Sequence, residues 1–472
     1  MKNIVLNILK YLFLILFTIS SASVIYYVNK LNILKTGYFI LLFVIILLIW
    51  LLLTLKVFSK KAKTVTKIIF IIIMAMLSCG YLFGTKYIKS TVNFVKNMTE
   101  NEYSTITYSV LTKNYNDINE LKDKNIGFLS SDKYLSKVNS KLSKKISFNE
   151  KDYEDIATLI DNNEVDALVL DKSYIDILKE NNVTYINESK EIYTFTIKVK
   201  NDSKKNVNLN EKPFVLYISG SDSRVSVHDT KARSDVNIVV VVNPKTNKIL
   251  LVNIPRDYYV QLHGTTGKKD KLTHAGLYGL DMSKKTVEDL LDTNIDYSVK
   301  VSFDTVVNVV DAIDGVDIDS DSTLRLNTGK ERTRKTCYIK QGMNHLDGEC
   351  ALRYARERHS YKGQDRHRGK NQQQIITAII NKMKDPKYLV RYNKILDAAN
   401  DTFETDLSYD QITNLIKHQL TDLKDWKVES ISLEGGDLTT ETYSLPGLQL
   451  YVMVPDEKSV KIAKNKIKEY LK

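Results

Sequence analysis

The chain has 472 residues, and its composition of 43% hydrophobic and 26% charged residues excludes a disordered protein. Its net charge of +12 predicts a polyanionic partner, which would be nucleic acid, anionic lipid or a phosphorylated substrate. Three cysteines without a CxxC pair exclude a disulfide framework and a structural zinc site, and the length allows two or three domains.

Three long uncharged segments near the N-terminus predict three transmembrane helices. They are residues 11–28, 37–55 and 68–85, and each is 18 or 19 residues long. A helix of this length spans about 30 Å of hydrocarbon. A cleavable signal peptide has one short apolar core, so three long ones exclude it. We therefore assign residues 1–90 to a membrane domain.

The lysines beside these segments predict their orientation. The loop VFSKKAKTVTK, between the second and third segments, contains four lysines, whereas NKLNILKT, between the first two, contains two. The positive-inside rule places the N-terminus and the four-lysine loop in the cytoplasm. After three crossings, everything beyond about residue 88 is expected outside the cell.

Residues 91–205 have the pattern of a small accessory α/β domain. The segments KNIGFLS and VDALVLD predict strands, and YEDIATLIDNNE and SYIDILKENN have helical spacing. This alternation is similar to one lobe of a solute-binding protein. The segments contain no convergent polar cluster, so a spacer or a docking surface for a partner is the favoured role.

Residues 206–472 predict a larger domain of the α/β class. PFVLYIS, VNIVVVVN and KILLVNIP are nearly continuous apolar runs, which are typical of strands buried on both faces. We expect an α/β/α sandwich with a central, mainly parallel or mixed sheet. The same patterning predicts a helix at 284–291, a strand at 297–302, and helices in FDTVVNVVDAI and QQQIITAIINKM.

Charged residues stand where these predicted strands end. Asp222 follows the first run, Arg233 and Asp235 precede the second, and Arg256 and Asp257 follow the third. Ligands of such sheets bind beyond the strand ends, so these residues are expected to meet at one rim.

Arginine is rare in this chain and is concentrated in one segment. Only 12 of the 68 basic residues are arginine, and five of these lie in RYARERHSYKGQDRHRGKNQQQ, residues 353–374. The planar guanidinium group binds phosphate or carboxylate through two parallel hydrogen bonds. An anion-binding site is therefore favoured over the alternative, a solvated helix face.

Several short sequence motifs of this region resemble those of the LytR-CpsA-Psr (LCP) family. In chain order they are SGSDSR, RSDVNIVVVV, NIPRD, KLTHA, LDGECALRYARER and DRHRGKNQQ. Three N-terminal spans followed by an extra domain are similar to the family's capsule-assembly subgroup. The resemblance implies a membrane-anchored extracellular phosphotransferase that moves a teichoic-acid- or capsule-like glycopolymer from a polyprenyl-pyrophosphate carrier to peptidoglycan. The resemblance is also compatible with a pyrophosphatase side activity.

The resemblance also implies the residues of the site. The implied catalytic residues are Arg233, Arg256, Arg356, Arg358, Asp365, Arg368 and Gln372. The implied substrate-binding residues are Arg233, Arg256, Lys271, Arg356, Arg358, Arg368 and Gln372. Mg²⁺ (or Mn²⁺) would be held by Asp222 and Asp235. The family often has an arginine where this chain has Asn371.

Other interpretations of single residues stay open at this point. Asp235 could be only a salt-bridge partner of the arginines, and Gln372 only a polar residue at a helix start rather than a phosphate ligand. The general base is not identified, and Asp257 and Asp365 are candidates. The histidines are expected to be hydrogen-bonded or exposed rather than metal ligands; those near the site are His274, His359 and His367.

Two other functions are compatible with the basic segment. A membrane-tethered nucleic-acid-binding regulator would use it for phosphate contacts, but the chain lacks a helix-turn-helix or zinc module and the predicted topology puts the segment outside the cell. A non-catalytic scaffold would bind wall polymer through the same residues. In the exported part, Cys337 and Cys350 are either a disulfide or two buried thiols.

Overall fold

The computed structural model describes residues 2–32, 34, 36–99, 103–161, 164–200, 209, 212–221, 231–326, 336–361, 365–389, 402–422 and 425–472. An N-terminal helical segment is followed by a five-stranded sheet and then by a six-stranded sheet. The first sheet lies inside the predicted accessory domain, and the second inside the predicted larger α/β domain.

The N-terminal segment consists of three helices, α1 (Lys2–Leu31), α2 (Thr36–Phe58) and α3 (Thr64–Thr99). Each contains a stretch that is long and apolar enough to cross a membrane, as the sequence predicts. Phe17 and Met74 are fully buried where the helices pack together. Many of the outward-facing leucines and isoleucines are exposed, and so large an apolar surface is typical of helices in lipid.

The five-stranded sheet and its helices form a body that we call the accessory unit, residues 103–200. The strand order is β3-β2-β4-β1-β5, in which β1 is antiparallel to β4 and β5 and β2 is parallel to β3 and β4. The strands are β1 (Tyr103–Thr112), β2 (Asn125–Leu129), β3 (Asn149–Tyr153), β4 (Ala167–Asp171) and β5 (Lys190–Lys200). The helices are α4 (Leu135–Leu142), α5 (Ile156–Asp161), α6 (Lys172–Glu180) and α7 (Thr184–Glu188), with a 3-10 helix at Ile118–Leu121. The strands predicted in KNIGFLS and VDALVLD are β2 and β4, and the predicted helices are α5 and α6.

The six-stranded sheet is the centre of the C-terminal unit, residues 212–472, and its strand order is β16-β11-β6-β7-β8-β17. The pairs β6/β11 and β8/β17 are parallel, and the other three pairs are antiparallel, so the sheet is mixed. These strands are β6 (Phe214–Ser221), β7 (Val236–Asn243), β8 (Lys248–Asn253), β11 (Tyr297–Ser302), β16 (Phe403–Thr405) and β17 (Lys427–Ser432). The described part of the unit also contains four two-stranded pairs: β9 (Tyr259–Val260) with β10 (Asp270–Lys271), β12 (Val316–Ser320) with β15 (Gly342–Leu346), β13 (Leu324–Leu326) with β14 (Cys337–Ile339), and β18 (Gly435–Thr440) with β19 (Leu450–Pro455).

Helices cover both faces of this sheet, because β6, β7 and β8 are apolar on both faces. On one face, Val239, Val241 and Val252 pack with Val287 and Ile467 of two helices. On the other face, the buried residues Ile238, Val240, Ile249 and Leu251 pack against Ile376 and Ile380. The helices of the unit are α8 (Leu272–Ala275), α9 (Leu280–Leu291), α10 (Phe303–Ala312), α11 (Gly348–Arg356), α12 (Asp365–Met383), α13 (Pro386–Leu389), Tyr409–Asp422 and Glu457–Tyr470, with a 3-10 helix at Gly276–Tyr278. The predicted α/β/α sandwich is confirmed.

A disulfide joins Cys337 in β14 to Cys350 in α11. Both cysteines are buried in an apolar cluster with Val310, Ala351 and Tyr354, beneath the arginine-rich segment. The disulfide therefore fixes α11, whose last residue is Arg356, to the small β13/β14 pair. Of the two alternatives that the sequence left open, the structure has the disulfide.

Removing this disulfide is expected to destabilise the C-terminal unit. A cross-link that closes a loop of this length contributes about 3 kcal/mol in the chain-entropy model, so Cys337→Ser with Cys350→Ser should lower Tm in a thermal unfolding experiment. Cys79, an exposed free cysteine in α3, provides the control, because Cys79→Ser should leave Tm unchanged. Alkylation of Cys337 and Cys350 in the denatured but unreduced protein would contradict the disulfide.

Candidate active site

Strand directions bring the charged strand ends of the sequence to one edge of the sheet. Because β7 is antiparallel to both of its neighbours, its first residue, Val236, lies beside Gly220 near the end of β6, and Ile238 pairs with Asn253 at the end of β8. β11 is parallel to β6 and also ends at this edge. The segment 231–235, Arg256, Asp257 and the start of α10 therefore surround one end of the sheet.

Asp235 is the centre of this cluster. Its side chain is buried, and its backbone amide donates to the Gly220 carbonyl at 2.8 Å. Arg256 donates from Nη1 to Asp235 Oδ1 at 2.9 Å, and the Thr273 hydroxyl lies 3.5 Å from the same oxygen. Nη2 of Arg233 is 4.0 Å from Asp235 Oδ2. One buried carboxylate thus contacts two of the predicted arginines.

The charge of Asp235 is stabilised by three guanidinium groups. Burial by itself would raise the pKa of this carboxyl, but Arg233, Arg256 and Arg368 outweigh burial and hold the pKa below its ordinary value. The carboxylate is therefore ionised at neutral pH. Because Arg368 belongs to α12, this electrostatic interaction also places the arginine-rich segment at the site.

Helix α12 reaches the site by packing closely over the end of β8. Gly369 allows the approach, because a Cβ atom at this position would lie 2.1 Å from Nδ2 of Asn253. Four residues later, Gln373 donates from Nε2 to the Ile431 carbonyl of β17 at 2.7 Å. These contacts fix the first turns of α12, which contain Arg368, against the sheet.

The structure corrects the expected start of α12. The sequence predicted a helix that begins near Gln372, whereas α12 begins at Asp365. Gln372 is a buried residue about two turns inside the helix, so it does not lie among the free N–H groups of the helix start. The apolar pattern missed these two turns because their buried side is made of Gly369, Asn371 and Gln373 instead of apolar residues. Whether Asp365 and Gln372 act in catalysis stays a prediction.

Asp257 and Lys271 extend the charged cluster. Nε of Arg256 is 3.5 Å from Asp257 Oδ2, and Nζ of Lys271 is 3.1 Å from Asp257 Oδ1. Arg233, Asp235, Arg256, Asp257 and Lys271 thus form a row in which cations and carboxylates alternate. Each cation is held by a neighbour before any substrate arrives.

The position of α11 determines where Arg356 and Arg358 lie. The Arg356 guanidinium lies 4.7 Å from the centre of the Phe303 ring, at the point where β11 ends and α10 begins. Nε of Arg358 is 3.3 Å from Nε2 of His359. Asn371, which stands where the family often has arginine, is fully buried and donates from Nδ2 to the Tyr354 carbonyl at 2.9 Å. It connects α12 to the last turn of α11.

The other arginines of the segment have contacts of their own. Arg353 donates from Nε to Glu349 at 3.0 Å on the same helix, and Arg366 donates to the Gly435 carbonyl at 2.8 Å. Neither residue was predicted to be in the site, so both serve as controls below.

The three histidines named near the site are hydrogen-bonded or exposed, as the sequence predicts. Nδ1 of the buried His274 is 2.7 Å from Asp270. His367 is stacked on the Tyr361 ring, with 3.4 Å between ring centres, and lies 3.3 Å from Asp321. His359 is exposed.

Asp235 is compatible with a divalent cation. Mg²⁺ in phosphoryl-transfer sites is commonly held by one or two carboxylates, with waters and substrate phosphates as the other ligands. Asp235 supplies one such carboxylate, and Asp222, the predicted second ligand, lies outside the described residues. The part of the chain that the structure describes contains no cluster of three or more acidic, histidine or cysteine ligands.

Glu180 of the accessory unit also contacts the site, which the sequence did not predict. Arg233 donates from Nη2 to Glu180 Oε1 at 2.8 Å, and from Nη1 to the other carboxylate oxygen. No sequence signal indicates this pair, because Glu180 is a single acidic residue at the end of a helix in a separate sheet unit.

The lowered pKa of Asp235 predicts how its contribution to stability depends on pH. The contribution is fully present above the ordinary carboxyl pKa of about 4 and is lost as the pH falls through the lower folded-state pKa. Asp235→Asn removes a charge-assisted hydrogen bond and should destabilise the protein at neutral pH by roughly 1.5–3 kcal/mol. The difference in Tm between wild type and variant should then shrink below about pH 4.

The control for this experiment is Asp425→Asn, because Asp425 is 86% exposed and paired only at the surface with Lys384. Its Tm should equal that of the wild type at every pH. An Asp235→Asn difference of the same size at pH 3 and pH 7 would mean that the Asp235 carboxylate does not titrate as described.

Comparisons with known proteins identify the family of the chain. The LytR_cpsA_psr family model matches residues 180–469. The polyisoprenyl-teichoic acid–peptidoglycan teichoic acid transferase TagV of Bacillus subtilis is 32% identical over 268 residues, which cover 56% of this chain and 66% of TagV. TagT of the same organism, which has the same functional name, is 35% identical over 227 residues, which cover 48% of this chain and 68% of TagT. The crystal structure of B. subtilis TagV aligns with a TM-score of 0.46 over 56% of this chain and 98% of that one. Because the family model matches more than half of the chain, the chain belongs to the LytR-CpsA-Psr family.

Proposed function

We propose that the protein is a membrane-anchored phosphotransferase that transfers a teichoic-acid- or capsule-like glycopolymer from a polyprenyl-pyrophosphate carrier to peptidoglycan outside the cell. The observation that carries this proposal is the alternating row of cations and carboxylates at one end of the sheet, with Arg368 added from α12. The names of TagV and TagT describe transfer of teichoic acid from a polyisoprenyl carrier to peptidoglycan.

The reaction requires positioning and charge neutralisation more than covalent chemistry. An acceptor hydroxyl oxygen attacks the phosphorus that carries the glycopolymer, and the bond from that phosphorus to the bridging oxygen breaks. Polyprenyl phosphate leaves, and the hydroxyl proton is lost to a base. Negative charge on the phosphate oxygens is the main barrier, so fixed cations and an in-line geometry provide the catalysis.

The arginines at the site suit this chemistry. A guanidinium group has five N–H donors, so Arg233 and Arg256 can keep their carboxylate partners and still bind phosphate oxygens. Because Asp235 and Asp257 hold these cations in place, little reorganisation is needed when the substrate enters. Arg368 and Arg356 supply further guanidinium groups from α12 and α11.

A divalent cation is part of the proposal. Asp235, with Asp222 as the predicted second ligand, would hold Mg²⁺ (or Mn²⁺). When bound, the ion would neutralise charge on the pyrophosphate oxygens as a Lewis acid. Without the ion, the same carboxylate orients Arg256 and Arg233.

The apolar face of the sheet beneath α12 offers a place for the polyprenyl chain. Among the described residues of this face, Ile238, Val240, Ile249 and Leu251 are buried, whereas Ile218, Val236, Ile376 and Ile380 are partly covered. Val236 directly follows Asp235, so this incompletely covered face begins at the charged site. A lipid chain on this face would place its pyrophosphate beside the arginines.

One contact supports the proposed topology. Nζ of Lys417, in the C-terminal unit, is 3.3 Å from Oδ1 of Asn32, in the connection between α1 and α2. This contact favours a C-terminal unit on the same side of the helices as this connection and opposite the four-lysine loop. Because the positive-inside rule puts that loop in the cytoplasm, the C-terminal unit is assigned to the outside.

The topology predicts the behaviour of fused reporters. A reporter that is active only in the cytoplasm should be silent when it is fused after Lys472. The same reporter fused after Lys63, within the four-lysine loop, should be active and serves as the control. An active fusion at Lys472 would overturn the assignment.

Lysine should replace the arginines of the site poorly. Lysine keeps the charge but lacks the planar fork and is more strongly hydrated. Arg256→Lys, Arg356→Lys, Arg358→Lys and Arg368→Lys should each cost roughly 1.5–3 kcal/mol in transition-state stabilisation, which is about ten- to a hundredfold in rate. The measurement is release of polyprenyl phosphate by the purified full chain in detergent, with and without Mg²⁺.

Arg353→Lys and Arg366→Lys are the matched controls and should retain wild-type rates. Wild-type rates in all six variants would mean that the arginine-rich segment, residues 353–374, is a solvated basic surface. Absence of polyprenyl phosphate release by the wild type in the presence of Mg²⁺ would instead favour a non-catalytic scaffold.

A further inference from the structure

We propose that the accessory unit is part of the active site, and that its residues Glu180, Asp132 and Asp171 position the segment 231–235, which contains Arg233 and Asp235. This inference rests on the proposed function, because it assigns a positioning role toward a proposed catalytic arginine. It differs from a spacer or a partner-docking role, which the sequence alone favoured.

Lys231 is the first contact between the two units. Its side chain is buried, and Nζ lies 3.0 Å from Asp132 Oδ2 and 3.5 Å from Asp171 Oδ2. The Tyr108 hydroxyl donates to the same Asp132 oxygen at 2.7 Å. Burial alone would lower the pKa of the Lys231 ammonium, but Asp171 and Asp132 outweigh it and raise the pKa, so the group stays charged. The accessory unit thus both buries this ammonium and supplies the two carboxylates that compensate its charge.

Helix α6 connects this ion cluster to Arg233. Asp171 caps the start of α6 by accepting from the Tyr174 amide at 3.0 Å, and the Ser173 hydroxyl donates to the Lys231 carbonyl. Glu180 is the last residue of the same helix and holds Arg233. One short helix therefore contacts the segment at two positions.

Apolar contacts fix α6 against the C-terminal unit. Ile175 and Leu178 belong to a cluster that also contains Leu277 and Leu445. The Tyr174 hydroxyl donates to the Ser444 carbonyl at 2.5 Å. Because the helix is packed in this way, the position of its terminal carboxylate is defined.

The ion pair with Glu180 orients Arg233 and leaves some of its N–H donors available for a phosphate. Glu180 accepts from both Nη1 and Nη2, and this bidentate geometry fixes the plane of the guanidinium group. The other donors of the group stay available, and Nη2 is already within 4.0 Å of Asp235. Glu180 is thus a positioning residue that acts through Arg233.

The test compares Glu180→Gln with Glu188→Gln in the full-length protein in detergent. The two glutamates are matched, because their side chains are 58% and 57% exposed and each pairs with one basic residue, Glu188 with Lys113 at 2.8 Å. With polyprenyl-pyrophosphate-linked glycopolymer and Mg²⁺, Glu180→Gln should lower kcat about tenfold with little change in KM. The Tm of Glu180→Gln should equal that of the wild type. The activity of Glu188→Gln should also equal that of the wild type.

Two kinetic results would overturn the inference. If Glu180→Gln lowers KM and leaves kcat unchanged, Glu180 competes with the phosphate instead of positioning Arg233. If it behaves like Glu188→Gln while Arg233→Lys is inactive, the proposed function stands and the positioning role alone is wrong.

A second measurement does not depend on activity. Hydrogen exchange of a peptide covering residues 231–241 should be faster in Lys231→Met and in Glu180→Gln than in the wild type, and unchanged in Glu188→Gln. Faster exchange with an inactive wild type would uphold the contact and contradict the proposed function. Unchanged exchange in both test variants would refute the anchoring of the segment.

Discussion

The buried carboxylate of Asp235 is the interaction on which the geometry of the site depends. Three guanidinium groups from the segment before β7, the segment after β8 and helix α12 surround it. Like charges that share one site repel, so an anion among these arginines stabilises their arrangement. Asp235 supplies that anion in the protein itself. The cations are therefore assembled before any phosphate binds, and a phosphate meets a site that is already ordered.

This arrangement works only because β7 is antiparallel to β6 and β8. In an all-parallel sheet, the start of β7 would lie at the opposite edge from the ends of its neighbours, and Asp235 would be a strand length away from Arg256. The apolar runs of the three strands look the same in either arrangement, since both leave the strands buried on two faces. The sequence therefore predicted the strands and the charged residues at their ends, but the direction of β7 came from the structure.

The features that the sequence missed have a common physical cause. The first two turns of α12 are buried through Gly369, Asn371 and Gln373, whose contacts are hydrogen bonds and close packing, and an apolar pattern cannot detect them. Glu180 and Lys231 are charged residues that, in sequence, look like any others on a solvated surface. Charge pairs between distant segments leave no periodic signal. Long apolar runs, by contrast, identified the three N-terminal helices and the central strands, because such runs mark segments that are apolar on all sides or on both faces.

The family match begins at residue 180, so most of the accessory unit lies outside it. Asp132 and Asp171, the partners of Lys231, belong to that unmatched part, whereas Lys231 and Arg233 belong to the matched part. A lysine at position 231 on the surface of the C-terminal unit alone would be solvated and would need no partner. The accessory sheet buries this lysine, and two carboxylates of the same sheet compensate its charge. A spacer would need neither a buried Lys231 nor carboxylates beside it. Because burying this ammonium without those carboxylates would be costly, the position of the accessory unit is coupled to the segment that contains Arg233.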